Sequence, residues 1–154
     1  DELTEKLHQV FDFRRLASRS LGKHWEARSD EQKETFLDLL EELLRANYSK
    51  KLRGETLGED YTIEYVEERT RNNRAIVTTK VVVKNKKPKP VEYKLMKGDG
   101  GWITYDIVID DVSLEETYRD SYTAIIEDEG WDKLIERMRN KIEELKTEET
   151  DNSK

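Results

Sequence analysis

Gly101-Trp102-Ile103-Thr104-Tyr105-Asp106-Ile107-Val108-Ile109-Asp110-Asp111-Val112-Ser113-Leu114-Glu115-Glu116-Thr117-Tyr118-Arg119 reads as a strand, a turn, a helix cap and the start of a helix in one continuous run. From Trp102 to Ile109 apolar residues occupy both alternating sides, so the strand calls for cover on both faces. Asp110-Asp111 supplies turn chemistry. Ser113 followed three residues later by Glu116 is a capping-box pattern, in which the serine hydroxyl accepts from the amide at the third helical position. The helix it opens carries Tyr118, Tyr122, Ile125 and Ile126 and stops at Gly130.

Upstream of this run the pattern has period two. Tyr61, Ile63 and Tyr65 alternate with Thr62 and Glu64, as in a strand with one wet face. Val77, Thr79, Val81 and Val83 share one side of the next strand, after a turn at Arg71-Asn72-Asn73, and Val91, Tyr93 and Leu95 form a third alternating set. Gly98-Asp99-Gly100-Gly101 turns tightly into the strand that begins at Trp102. Short connections between consecutive strands favour antiparallel pairing, which gives a four-stranded meander.

The ends of the chain have helical period. Leu3, Leu7, Val10 and Phe11, then Phe13, Leu16, Ala17 and Leu21, recur at helical spacing with a kink near Phe11 to Phe13, and Gly22 is the stop. Ser29-Asp30-Glu31-Gln32 is a capping box, so a long helix starts near Asp30. Its apolar stripe is Phe36, Leu40, Leu43, Leu44 and Tyr48, widened by Leu37, Leu39 and Leu52, with Glu34, Asp38, Glu41, Glu42 and Arg45 opposite. A last helix runs from about Trp131 through Leu134, Ile135, Met138, Ile142 and Leu145. Helices, then strands, then helices indicate an α+β fold whose antiparallel sheet is covered mainly on one face.

The chain has 154 residues, enough for one core. We expect a single domain over residues 1–147 and a polar, frayed tail over 148–154. With 41% charged and 34% hydrophobic residues, nearly all apolar side chains must point inward. A net charge of −7 and a pI near 5.1 disfavour nucleic acid and anionic bilayers, which need a basic stripe. The densest basic stretch, Lys84 to Lys89 with Pro88 inside, reads as a solvated hairpin loop.

Without cysteine there is no disulfide, thiolate metal site or thiol nucleophile. No apolar run approaches the roughly 20 residues that span a membrane. No basic-then-apolar leader opens the sequence, as in a processed, trimmed or cytosolic chain. His8 and His24 are far apart, and Asp110-Asp111 lacks a loop of oxygen ligands, so no metal is expected.

The order glycine, tryptophan, two residues, tyrosine-aspartate, hydrophobic strand, valine-serine-leucine, tyrosine-arginine resembles the signature of the MlaC family, periplasmic phospholipid-binding proteins also called toluene-tolerance proteins. Phe11-Asp12-Phe13, Leu21-Gly22 with Trp25, Gln32 with Phe36 and Tyr48, Tyr93-Lys94-Leu95, and Gly130 with Leu134-Ile135 extend the resemblance from about Val10 to Lys141. It departs at Asp111, where the family pattern has glycine, and in the one or two helices that family members usually carry ahead of the position of Asp1.

The resemblance implies an NTF2-like fold, a curved antiparallel sheet wrapped by N- and C-terminal helices around an apolar pocket. It also implies a soluble periplasmic carrier, a monomer, that shuttles phospholipid between an outer-membrane lipoprotein complex and the lipid-binding subunit of an inner-membrane ABC transporter. Phospholipid is then cargo and no cofactor is required.

Candidate lining residues are Phe36, Leu40 and Leu44 from the long helix, Val77, Val81, Tyr93, Leu95, Tyr105 and Ile107 from the sheet, and Tyr122 and Ile126 from the helix after it. Pocket wall and core look alike in sequence, and a one-residue error in register exchanges lining for exterior. Arg119 has two readings, a charge-assisted tie to Asp106 on the adjacent strand or a contact to a headgroup phosphate. No catalytic residues are assigned. Two alternatives stay open: an isomerase or dehydratase on the same fold with Asp106 and Tyr105 as acid-base groups, and a pocketless adaptor that binds proteins.

Overall fold

A computed structural model describes residues 10–52 and 61–152. The expected helical positions Leu3 and Leu7, and His8, lie outside the described residues, as do the side chains of Tyr48, Leu52 and Val83. The order of elements is α1 (Phe13–Leu21), α2 (Lys23–Glu26), α3 (Asp30–Leu52), β1 (Tyr61–Arg71), β2 (Arg74–Val83), β3 (Lys89–Gly98), β4 (Gly101–Ile109), β5 (Val112–Ser113), α4 (Leu114–Glu129) and α5 (Trp131–Asn152). This is an α+β architecture, with an open antiparallel sheet in the order β1-β2-β3-β4-β5 flanked by helices.

The expected break near Phe11 has a clear cause. Phe11 pairs with Thr104 as a parallel bridge, and the Asp12 amide donates to the Thr104 carbonyl at 2.9 Å, so the chain runs along β4 before it coils. Asp12 then caps α1 by accepting from the Arg15 amide at 2.9 Å. Leu16, Ala17, Ser20 and Leu21 form its buried face, and Gly22 ends it with φ 55°, a conformation costly for any residue with a Cβ. At the start of α3 both bonds of the capping box form, Gln32 amide to Ser29 hydroxyl at 3.1 Å and Ser29 amide to Gln32 side chain at 3.0 Å.

The main core is helical. Leu16, Leu21, Trp25, Phe36, Leu40, Tyr118, Tyr122, Leu134 and Met138 are among its buried members. Packing is α1 on α4, α3 on α5, α4 on α5 and α1 on α3. The helices meet the sheet through β4 and β5, whereas the backbones of β1 to β3 stand largely clear of them among the described residues.

Two expectations change. The sheet has a fifth strand, because after the Asp110-Asp111 turn Val112 and Ser113 pair back with Ile109 and Val108 before the helix begins. Cover on both faces of β4 is partial: Thr104 and Asp106 are buried, but Trp102, opposite Lys97 beside the hairpin, is exposed. The last helix, α5, has its bound at Asn152.

Asp110 and Asp111 adopt φ 54° and 68°. A two-residue hairpin turn with both central residues left-handed suits glycine at the second position, and aspartate tolerates it at a cost. Asp111→Gly is therefore expected to stabilise the fold by about 0.5–1 kcal/mol, a rise of a few degrees in melting temperature. A calorimetric scan showing no rise would mean that the Asp111 side chain contributes more than the strain it bears.

Candidate functional site

Pairing register places the sheet residues on faces. Val77 lies opposite Tyr93, and Tyr93 opposite Ile107, so these three share one face in a row across β2, β3 and β4. Ala75, Leu95 and Thr104 form the next row on that face, and Thr79, Val91 and Ile109 the row on the other side. Ile107 packs against the helical core. Val77, Val81, Tyr93 and Leu95 are half-buried, outside the cluster that the helices complete. Burial pushes the Tyr93 phenol up from its ordinary range, with a hydrogen bond to Thr79 opposing part of the shift.

The helical candidates meet directly. Phe36, Leu40 and Leu44 project at four-residue spacing from α3 and are buried in the core with Tyr122, while Ile126 is half-buried against it. The Phe36 ring stands perpendicular to that of Tyr122, with centroids 5.7 Å apart. The structure thus joins Phe36, Leu40, Leu44, Tyr122, Ile126 and Ile107 in one cluster, and sets Val77, Val81, Tyr93 and Leu95 on the sheet face that continues from Ile107.

Tyr105 has a different place. Lys94 pairs with Asp106 and Leu95 with Thr104, which leaves Tyr105 as the extra residue of a β-bulge. Strict alternation from Ile107 would put Tyr105 opposite Leu95; buried Thr104 takes that position. The half-buried Tyr105 ring lies beneath two guanidiniums, with Arg15 Cζ 5.1 Å and Arg74 Cζ 5.4 Å from its centroid, and its hydroxyl accepts from Arg74 at 3.1 Å.

Asp106 is the anchor of α4. It is 2% exposed, and it accepts from the Ser113 hydroxyl, the Glu115 amide at 3.0 Å and the Ile107 amide at 2.9 Å. The Ser113 hydroxyl in turn accepts from the Glu116 amide at 3.2 Å. Arg119 does not reach Asp106. Its guanidinium lies 3.5 Å from Glu115, a buried carboxylate that also receives Arg19 Nε at 2.8 Å. That hydrogen bond, with the charge behind it, raises the Arg19 pKa further. Both oxygens of Asp106 thus accept from the frame that joins β4 to α4.

Sequence reasoning missed two residues on the candidate face. Ile63 pairs with Val81 and Tyr65 with Thr79, so both extend the same face onto edge strand β1, at 60% and 63% exposed. Their alternation was visible in the sequence, but not their position beside Val81. His24 sits near the end of α2 with Nε2 3.3 Å from Glu127, and among the described residues no group of three or more His, Asp or Glu could hold a metal ion. Nor is any described helix long and apolar enough to cross a membrane.

In comparison with known proteins, no curated sequence matches the chain significantly. Among solved structures it is similar to the phospholipid-binding protein from Ralstonia solanacearum, determined in complex with a phospholipid, at TM-score 0.78 and 24% identity over 92% of this chain and 83% of that one. The sequence profile of the MlaC protein family matches residues 1–140. The chain belongs to the MlaC family.

Proposed function

We propose that this protein is a carrier that binds one phospholipid with its acyl chains against the sheet face of Val77, Val81, Tyr93 and Leu95 and the helical residues Phe36, Leu40, Leu44, Ile107, Tyr122 and Ile126. Phospholipid carriage is the function of its family. The observation that supports the placement is the apolar sheet face that, among the described residues, the helices approach mainly along β4 and β5. A diacyl lipid presents about thirty methylenes, whose exposure to water at roughly 0.8 kcal/mol each would cost on the order of 20 kcal/mol. A carrier offsets nearly all of this with an apolar wall, and half-buried β-branched and aromatic residues beside a helical core are suited to it.

A periplasmic shuttle that hands over lipid without exposing the chains must dock directly on donor and acceptor, here an outer-membrane lipoprotein complex and the lipid-binding subunit of an inner-membrane ABC transporter. A net charge of −7 repels anionic bilayers, so contact is made where a protein partner waits. Residues 1–147 act as one domain, Arg119 serves to hold α4, and the reading needs no catalytic group and no cofactor.

Organic extraction of the purified protein followed by lipid analysis tests the carrier. Phospholipid at up to one molecule per chain is expected, by co-purification or after incubation with vesicles. A protein that neither retains phospholipid nor takes it from vesicles would be an adaptor, and the proposal would fail.

A further inference from the structure

Tyr122 lies in the helical core with no partner for its polar atom among the described residues. The side chain is 7% exposed, its ring stacked on Tyr118 at 5.2 Å between centroids and 12° between planes, with Phe36 perpendicular to it. The ring is thus gripped by two aromatic neighbours. The hydroxyl oxygen is fully buried and has no hydrogen-bond partner among the described residues. Folded proteins avoid such groups, because desolvation is left uncompensated. The unpaired Nε atoms of Arg15 and Arg28 differ in kind, since each belongs to a guanidinium lying over an aromatic ring, Tyr105 or Trp131.

The chemistry of the missing partner follows from the surroundings. Burial, and then the neighbouring Tyr118 phenol, push the Tyr122 phenol well above its ordinary range, so it is a protonated donor. It therefore needs an acceptor. Its ring neighbours Phe36 and Tyr118 are aromatic and the surrounding cluster is apolar, so an anionic phosphate placed there would be stripped of its water. A neutral acceptor fits. In a phospholipid the neutral acceptors nearest the chains are the ester carbonyls.

We propose that the Tyr122 hydroxyl donates a hydrogen bond to an ester carbonyl oxygen of the bound phospholipid and so sets the depth to which the acyl chains enter. The inference rests on the carrier reading above. The hydroxyl is covered in this structure, so the carbonyl reaches it only as the aromatic cluster parts around the entering chains.

The test uses delipidated wild type and Tyr122→Phe with vesicles of a diacyl phosphatidylglycerol or of its dialkyl ether analogue with the same chains, and measures lipid bound per protein. Wild type is expected to prefer the diacyl lipid by roughly fivefold to tenfold, the effect of one hydrogen bond. Tyr122→Phe is expected to lose that preference by binding the diacyl lipid more weakly, while its lipid-free melting temperature stays level or rises. Absence of a preference in wild type, or the same preference in Tyr122→Phe, overturns the assignment while leaving the carrier intact. Failure of wild type to bind either lipid overturns the carrier reading itself.

Discussion

Asp106→Ala is expected to lower the unfolding free energy by about 3–5 kcal/mol, the largest stability loss foreseen for any single polar side chain in this fold. The carboxylate is 2% exposed and meets three donors, the Ser113 hydroxyl and the amides of Glu115 and Ile107. Truncation removes the partner of the hydroxyl and of an amide in the first turn of α4, in a place where water does not replace it. It also withdraws a negative charge from the helix N-terminus, where the aligned peptide dipoles favour one. Asp106→Asn keeps the shape but offers one accepting oxygen, and its amide group faces a donor, so an intermediate loss is expected. Urea unfolding of the three proteins checks the order. A midpoint for Asp106→Ala equal to that of wild type would show that α4 is held on the sheet by apolar packing alone.

The same network shows where sequence reading succeeds and where it stops. Both bonds of the Ser29–Gln32 box form, because every atom involved lies within four consecutive residues. The box at Ser113–Glu116 forms only its forward bond; there Ser113 is also paired with Val108 in the β4–β5 ladder, and its hydroxyl donates to Asp106 across the turn. Pattern matching cannot see those partners. Likewise the charge expected between Asp106 and Arg119 is satisfied otherwise: Asp106 takes neutral donors, and Glu115, an acidic residue in the first turn of a helix, becomes the buried partner of Arg19 and Arg119.

Alternation carried the sheet as far as an unbroken ladder allows. Val77, Tyr93 and Ile107 fall on one face as their spacing predicts. The bulge at Tyr105 shifts the strand by one residue, and nothing in the run Thr104-Tyr105-Asp106 marks which residue is extra. Two-residue β5 is too short for any period to show. Whether an apolar position is core or wall depends on how far the covering helix stands from it, a distance between elements remote in sequence. Phe36 and Val77 are both apolar and correctly patterned; one is packed beneath Tyr122 and Trp131, and the other is left half open.

Val77→Asp exploits that difference and is expected to reduce phospholipid binding by about 100-fold or more with little loss of fold. Val77 is half-buried, so a carboxylate there keeps access to water until acyl chains cover it. Acyl chains laid on the Val77, Tyr93 and Ile107 row would strip that water away, and a desolvated, unpaired charge costs roughly 3 kcal/mol or more even after relaxation. Tyr93 on β3 and Glu68 on β1 lie directly opposite, so among these neighbours the new charge finds no cation. Thr62→Asp, at an exposed position on the opposite face of β1, serves as the matched control, adding the same charge away from the proposed wall. If Val77→Asp and wild type yield the same phospholipid per chain on extraction, the chains do not lie on this face. If Val77→Asp alone loses cargo while its melting temperature stays within a few degrees of the control, the half-open face is the wall that the acyl chains require.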